Sequence, residues 1–252
     1  TGATTIPSNA ATLQVETVTV VITNQPNAAT VDENTTATFS TLGSITMAPV
    51  GGNAASSSFD TDQFDTPSGG GGGGFEGQSS HEPTVTYQWE KSDNAGANWS
   101  TLGGATSASY TTSTLTYADD NADQYRCVIS AVGAAADATT NAVALTVQRT
   151  FSITAQPSNA TANEGATGSF TVSTTSSSGT VTYQWERSDD AGANYASVGA
   201  TGQTAAFTTP TLVFANDNAD RYRVVASLVG AAASITSTHG ELTVLRVISI
   251  SA

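Results

Sequence analysis

Hydrophobic and polar positions alternate with a period of two in short runs along this chain, and clusters of Gly, Asn and Asp separate the runs. That is the pattern of half-buried β-strands joined by turns. In VTYQWEK (85–91), Val85, Tyr87 and Trp89 fall on one face and Thr86, Gln88 and Glu90 on the other, because successive strand side chains point to opposite faces. In NADQYRCVIS (121–130), Asp123, Tyr125, Cys127 and Ile129 share one face, with Gln124, Arg126 and Val128 opposite. No segment has convincing helical periodicity, so the prediction is an all-β fold.

The pattern also repeats. VTYQWEKSDNAGANW (85–99) returns as VTYQWERSDDAGANY (181–195), an offset of 96, and STLTYADDNADQYRCVIS (113–130) returns as PTLVFANDNADRYRVVAS (210–227), an offset of 97. Upstream, ITNQPNAATVDENTTATFS (22–40) matches ITAQPSNATANEGATGSFT (153–171) at 131. The larger offset places an insertion of about 35 residues between Phe39 and Val85, within the Gly/Ser-rich stretch 42–83. A period near 100 residues means tandem domains. The expected organisation is a last strand of a preceding domain at 1–16, domain one at 17–148 with its insertion, domain two at 149–246, and the start of a following domain at 247–252. The final segment LRVISISA parallels VQRTFSITA (147–155), and the chain reads as a fragment of a longer array.

A Trp on one strand followed some forty residues later by Asp-x-Tyr-x-Cys resembles the immunoglobulin-like pattern of a buried central Trp and a tyrosine corner two residues before a Cys. The resemblance covers nearly the whole chain and occurs twice. It implies two complete Ig-like β-sandwiches with a structural core of Phe39, Trp89, Tyr125 and Cys127 in the first and Phe170, Trp185, Tyr222 and Val224 in the second. Cys127 is the one cysteine of the chain, so no disulfides form within it. Phe39 and Phe170 stand where antibody-type domains carry the first Cys, and the inter-sheet bridge is expected to be replaced by packing of Phe39 with Cys127 and Phe170 with Val224. That exchange forgoes roughly 2–5 kcal/mol of cross-linking and recovers part through ring burial worth about 1.5–3 kcal/mol. Cys127 is then a buried small hydrophobe.

Composition narrows the functional classes. Lys and Arg total 7 against 21 Asp and Glu, a net charge of −14, which excludes an electrostatic footprint for nucleic acid or an anionic membrane. No run of eighteen apolar residues marks a membrane span. His81 and His239 are the available imidazoles, and neither has a partner at metal-ligand spacing. No nucleophile elbow, Walker loop or dinucleotide fingerprint is present, and the run Gly69–Gly74 is followed by no Lys-Ser/Thr. The expectation is a non-enzyme without cofactors or metals.

Candidate chemistry is sparse. SDNAGANW, SDDAGANY, ADDNAD and ANDNAD hold carboxylates but lack the alternating spacing and terminal Glu of a compact calcium loop, so they read as turns, with Asp123 and Asp220 securing the turn into the following strand. In the insertion, FDTDQFD offers Phe59, Asp60, Asp62, Phe64 and Asp65 as a partner-contact patch; a solvated excursion is the plainer reading. Asn34, Asn98 and Asn159 head N-x-S/T triplets that matter only in a eukaryotic secretory pathway.

At YQWEKS, DNADQYRC and VALTV the wording resembles the tandem Ig-like repeats of marine bacteriophage virion structural proteins, cyanophages in particular, and similar repeats in large bacterial surface proteins. The phage resemblance implies a component of the virion exterior, such as capsid decoration, neck, tail or fibre. Its partners would be other virion proteins or copies of itself, with weak binding to cell-surface carbohydrate as an added role. The alternative is a bacterial cell-surface adhesin or extracellular filament. Short links such as residues 148–150 would keep successive sandwiches nearly continuous.

Overall fold

The computed structural model describes residues 16–49 and 84–248. Residues 1–15 and 50–83, and with them Phe59, Asp60, Asp62, Phe64, Asp65 and His81, lie outside the described residues, as do 249–252.

The first sandwich runs β1 (Glu16–Asn24), β2 (Ala29–Asp32), β3 (Thr38–Ser40), β4 (Leu42–Pro49), β5 (Val85–Ser92), β6 (Ser100–Thr101), β7 (Ser109–Thr111), one helical turn α1 (Tyr117–Asp120), β8 (Gln124–Ala131), β9 (Ala138–Thr139) and β10 (Val143–Gln148). The second repeats that order as β11 (Phe151–Ala155), β12 (Ala160–Asn163), β13 (Ser169–Thr171), β14 (Ser173–Ser176), β15 (Thr182–Ser188), β16 (Ala196–Ser197), β17 (Ala206–Thr208), α2 (Phe214–Asp217), β18 (Arg221–Ser227), β19 (Ile235–Thr236) and β20 (Gly240–Leu245).

In each sandwich the larger layer has the order β2-β10-β8-β5-β6, or β12-β20-β18-β15-β16. Its first pair is parallel and the rest antiparallel. The smaller layer pairs β1 with β4 and β3 with β7, and in the second sandwich β11 with β14 and β13 with β17. β3 and β4 are successive pieces of one strand, interrupted at buried Thr41, whose amide donates to Ala108 O and whose hydroxyl donates to Asn24 O.

The period-two pattern is what buries the core. β8 alternates, with Tyr125, Cys127 and Ile129 at 2% exposure or less, and its register sets Trp89 opposite Cys127, as Trp185 sits opposite Val224. All of Phe39, Trp89, Tyr125, Cys127, Phe170, Trp185, Tyr222 and Val224 are buried. Phe39 stacks on Tyr125 at 4.5 Å between centroids and Phe170 on Tyr222 at 4.7 Å. The indole N–H groups, which need partners once buried, donate to Ser107 O and Thr204 O, each at 2.9 Å.

Three expectations change. Residues 42–49, read as part of the insertion, form β4, because LGSITMAP pairs along all of β1 from Glu16↔Pro49 to Asn24↔Leu42. The second sandwich's corresponding pair stops at Phe151↔Ser176, whose counterpart is Val20↔Ile45, so residues 46–49 lengthen the first hairpin and are the first of the extra residues. Glu16, assigned above to the end of a preceding domain, begins β1. Helical turns α1 and α2 escape a periodicity search, since four residues cannot repeat a 3.6-residue pattern; α1 is instead marked by the Thr116 hydroxyl accepting from Asp119 N.

Candidate functional site

Gln148 ends β10 and Phe151 begins β11, so Arg149 and Thr150 alone link the two sandwiches. Their surroundings form the most elaborated polar site outside the cores. The Glu33 amide donates to Gln148 O at 2.7 Å, extending the parallel β2–β10 ladder past its last strand residue. A turn through Asn34, at φ 68, then carries the chain away. This leaves the Glu33 side chain above the end of β10 and beside α1. Its carboxylate accepts from Tyr117 N at 3.0 Å, from Ser177 Oγ at 2.7 Å, and from Ser178 Oγ at 2.7 and 3.0 Å. Glu33 is 7% exposed. Hydrogen bonds from Ser177, from the Tyr117 amide and from Ser178 hold its carboxyl below the usual range, against the cost of burial.

Arg149 completes the joint. Its amide donates to Gly230 O at 2.9 Å, Nε to Ser178 Oγ at 2.9 Å, and Nη1 to Val229 O at 3.1 Å. The guanidinium lies 4.2 Å over the Tyr117 ring, a contact worth about 0.5–2 kcal/mol depending on desolvation. Gly230, at φ +88, passes so close to the same ring that an added Cβ would overlap it. Ser177, Ser178, Val229 and Gly230 belong to the second sandwich and Glu33 and Tyr117 to the first, so the link is bonded to both.

Each sandwich also carries an ion-pair cluster where β5 or β15 meets the turn after its helix. Lys91 reaches Asp123 at 2.5 Å and Asp120 at 3.2 Å. Arg187 reaches Asp220 at 2.6 Å and Asp217 at 3.4 Å. Asp123 and Asp220 were expected to secure the turn into the next strand. The turn is instead closed by their amides, which donate to Asp120 O and Asp217 O, while their side chains are buried against the cation. Burial holds both carboxyls above the usual range, and the paired cation offsets part of the rise. Burial works against the Lys91 charge too, but its bonds to Asp123 and Asp120 outweigh this and hold it above the usual Lys value.

Beside the second cluster, between the layers, opens a cleft of ≈ 470 Å³. Its floor is Phe207, Leu212 and Tyr222, and Arg187, Asp217 and Tyr195 stand at its rim. On the outer face of each large layer an Arg bridges a Glu and an aromatic. Arg126 bonds Glu90 at 2.7 Å and covers Trp99 at 4.1 Å; Arg223 bonds Glu186 at 2.8 Å and covers Tyr195 at 3.8 Å.

Among the described residues no three His, Cys, Asp or Glu side chains gather as a metal site, and His239 is exposed. Cys127 is 0% exposed, and burial pushes its thiol up to about 11. No helix among the described residues is long and apolar enough to cross a membrane. Glu33, Tyr117, Arg149, Ser177 and Ser178 were not singled out from sequence. A signal existed: Glu33, Tyr117 and Arg149 return as Glu164, Phe214 and Arg246 at the repeat offsets, in a chain with only seven Lys and Arg.

Two layers in this strand order, with the Trp of β5 or β15 and the Tyr of β8 or β18 packed against one shared Phe, define a tandem Ig-like β-sandwich protein without disulfides. Residues 67–149 match a domain family described as Domain of unknown function (DUF8696). No curated protein matches the chain. Similar solved structures include the I-band fragment I67–I69 from titin, at 13% identity over 94% of this chain and 67% of that one, with a TM-score of 0.38. Sidekick-1 immunoglobulin domains 1–5 match at 13% identity over 93% of this chain and 40% of that one, TM-score 0.42. The N-terminal Ig1-2 module of the Drosophila receptor protein tyrosine phosphatase DLAR matches at 14% identity over 90% and 99%, TM-score 0.31.

Proposed function

We propose that this chain is a segment of a spacer and adhesion array displayed on the exterior of a bacteriophage particle, where it holds other virion proteins or copies of itself and adds weak contacts to cell-surface carbohydrate. Ig-like tandem repeats are typical of structural or adhesive roles, and a fold alone does not choose among such roles. The observation that carries a spacer role is the two-residue link, in which Glu33 and Arg149 tie the end of one sandwich to the start of the next. A joint bonded on both sides transmits direction along an array, as a flexible tether would not. The virion setting is supported by the phage-like wording of the repeats and by an acidic, Lys-poor, disulfide-free composition suited to synthesis in a reducing cytoplasm. The Phe59, Asp60, Asp62, Phe64 and Asp65 segment is the proposed partner contact, with aromatic anchors among acidic neighbours. Repetition along the array would raise weak single contacts to useful avidity.

Mass spectrometry of gradient-purified virions tests the setting. The polypeptide should be present in the particle and accessible to surface labelling; its absence from the particle, or its recovery with the cell envelope of uninfected bacteria, would sink the proposal.

A further inference from the structure

The second sandwich ends in a copy of the first half of the joint, and among the described residues no further sandwich covers it. Glu164 donates its amide to Leu245 O at 2.8 Å, as Glu33 does to Gln148 O at 2.7 Å. Its carboxylate accepts from Phe214 N at 3.1 Å, as Glu33 accepts from Tyr117 N at 3.0 Å. Arg246 lies 4.2 Å over the Phe214 ring, the same distance that separates Arg149 from Tyr117. Carboxylate, ring and guanidinium are thus set in the joint's arrangement before any partner arrives. What differs is burial. Glu33 is buried where Glu164 is exposed, and the pole of Glu164 leaves large apolar side chains in solvent: Val213 at 44%, Leu245 at 48%, Val247 at 63% and Ile248 at 86%.

We infer that this pole is an open joint half whose occupant is a further Ig-like sandwich of the same kind, presenting adjacent hydroxyls and a Val-Gly turn as Ser177, Ser178, Val229 and Gly230 do. Three observations select that occupant. Glu164 has spare acceptor capacity placed as in Glu33, which is filled by two serine hydroxyls. The Phe214 ring, like that of Tyr117, offers a flat surface on which a turn without a Cβ can rest. Residues 246–252, RVISISA, repeat 149–155, RTFSITA, so the chain leaving the pole has the wording of a sandwich's first strand. A second copy of this chain fits less well: its second sandwich already has its hydroxyl loop on Glu33, and its first has residues 50–83 in place of that loop. The inference extends the array reading and is independent of which surface displays it.

The test lengthens the full chain by a third sandwich, joining residues 152–252 after Ile248, so that Arg246 and Val247 form the new link and Ile248 stands where Phe151 begins β11. Spin labels on Ser169→Cys and its counterpart in the added copy report the distance across this link by double electron-electron resonance, with Cys127 buried. The expected distribution is as narrow as one measured across the Arg149–Thr150 link. Glu164→Ala with Arg246→Ser should broaden it at least twofold, and so should Gly230→Ala in the added copy alone, with circular dichroism confirming that all sandwiches stay folded. A broad distribution in the unaltered three-sandwich chain, or one that neither change affects, overturns the inference. So does dimerisation of the original chain that Glu164→Ala abolishes, because the occupant would then be a second copy.

Discussion

Single side chains in this protein are governed by what burial does to charge. Tyr125 and Tyr222, each 2% exposed, have hydroxyls that burial pushes up to about 12 from an ordinary 10. A raised folded value means stability that is whole below pH 10 and lost as pH rises toward 12, about 3 kcal/mol for each ring. An alkaline titration followed at the tyrosinate absorbance should show these two of the seven tyrosines ionising only as the sandwiches unfold. Cys127 obeys the same sign, so a thiol reagent should label the native chain far more slowly than the urea-unfolded chain at pH 8. The buried aspartates are more delicate, because burial and the paired cation oppose one another. Lys91→Met leaves Asp123 uncompensated. The cost approaches, without reaching, the about 3–5 kcal/mol of breaking a fully buried pair, since the Lys91 side chain is 29% exposed. Urea melts should show the deficit shrinking from pH 7 toward pH 5, as Asp123 takes up a proton in the folded variant.

Strands are where sequence and structure correspond most directly. The alternation in β5 and β8 announces both the element and its buried face, because a period of two is a property of the backbone that packing then uses. The same logic fails in β4. Its residues alternate, but Leu42 and Met47 are exposed and Ile45 is half-buried, so this Gly-containing stretch resembles a loop. Only its pairing with β1 makes it a strand. The insertion is therefore bracketed by two ladders, β4 with β1 and β5 with β8, neither of which needs it. Replacing residues 50–83 by the Ser-Ser-Gly-Thr turn of the second sandwich (177–180) should leave the melting temperature within about 4 °C, a change of order 1 kcal/mol or less. If adhesion resides in Phe59, Asp60, Asp62, Phe64 and Asp65, the same replacement should abolish attachment while melting is unchanged.

At the scale of the whole molecule the controlling feature is the joint. Its Glu33 has a lowered folded value, so the contribution is present above the ordinary Glu value of 4.5 and is lost as pH falls through the folded one. Spin labels placed one on each sandwich should give a narrow distance distribution at pH 7 that broadens in acid. Glu33→Gln should broaden it at pH 7 and remove the acid transition, and Arg149→Ser should broaden it at every pH, consistent with loss of about 0.5–2 kcal/mol of cation–π contact. Repeat and period-two alternation let the sequence alone establish two tandem all-β domains, because those features encode local geometry and burial on a fixed period, and the Trp/Tyr spacing added a resemblance to Ig-like sandwiches that the strand order bears out. The joint was decided by tertiary structure. Glu33 and Ser177 stand 144 residues apart, and a carboxylate in a turn says nothing of which hydroxyls the fold will bring to it.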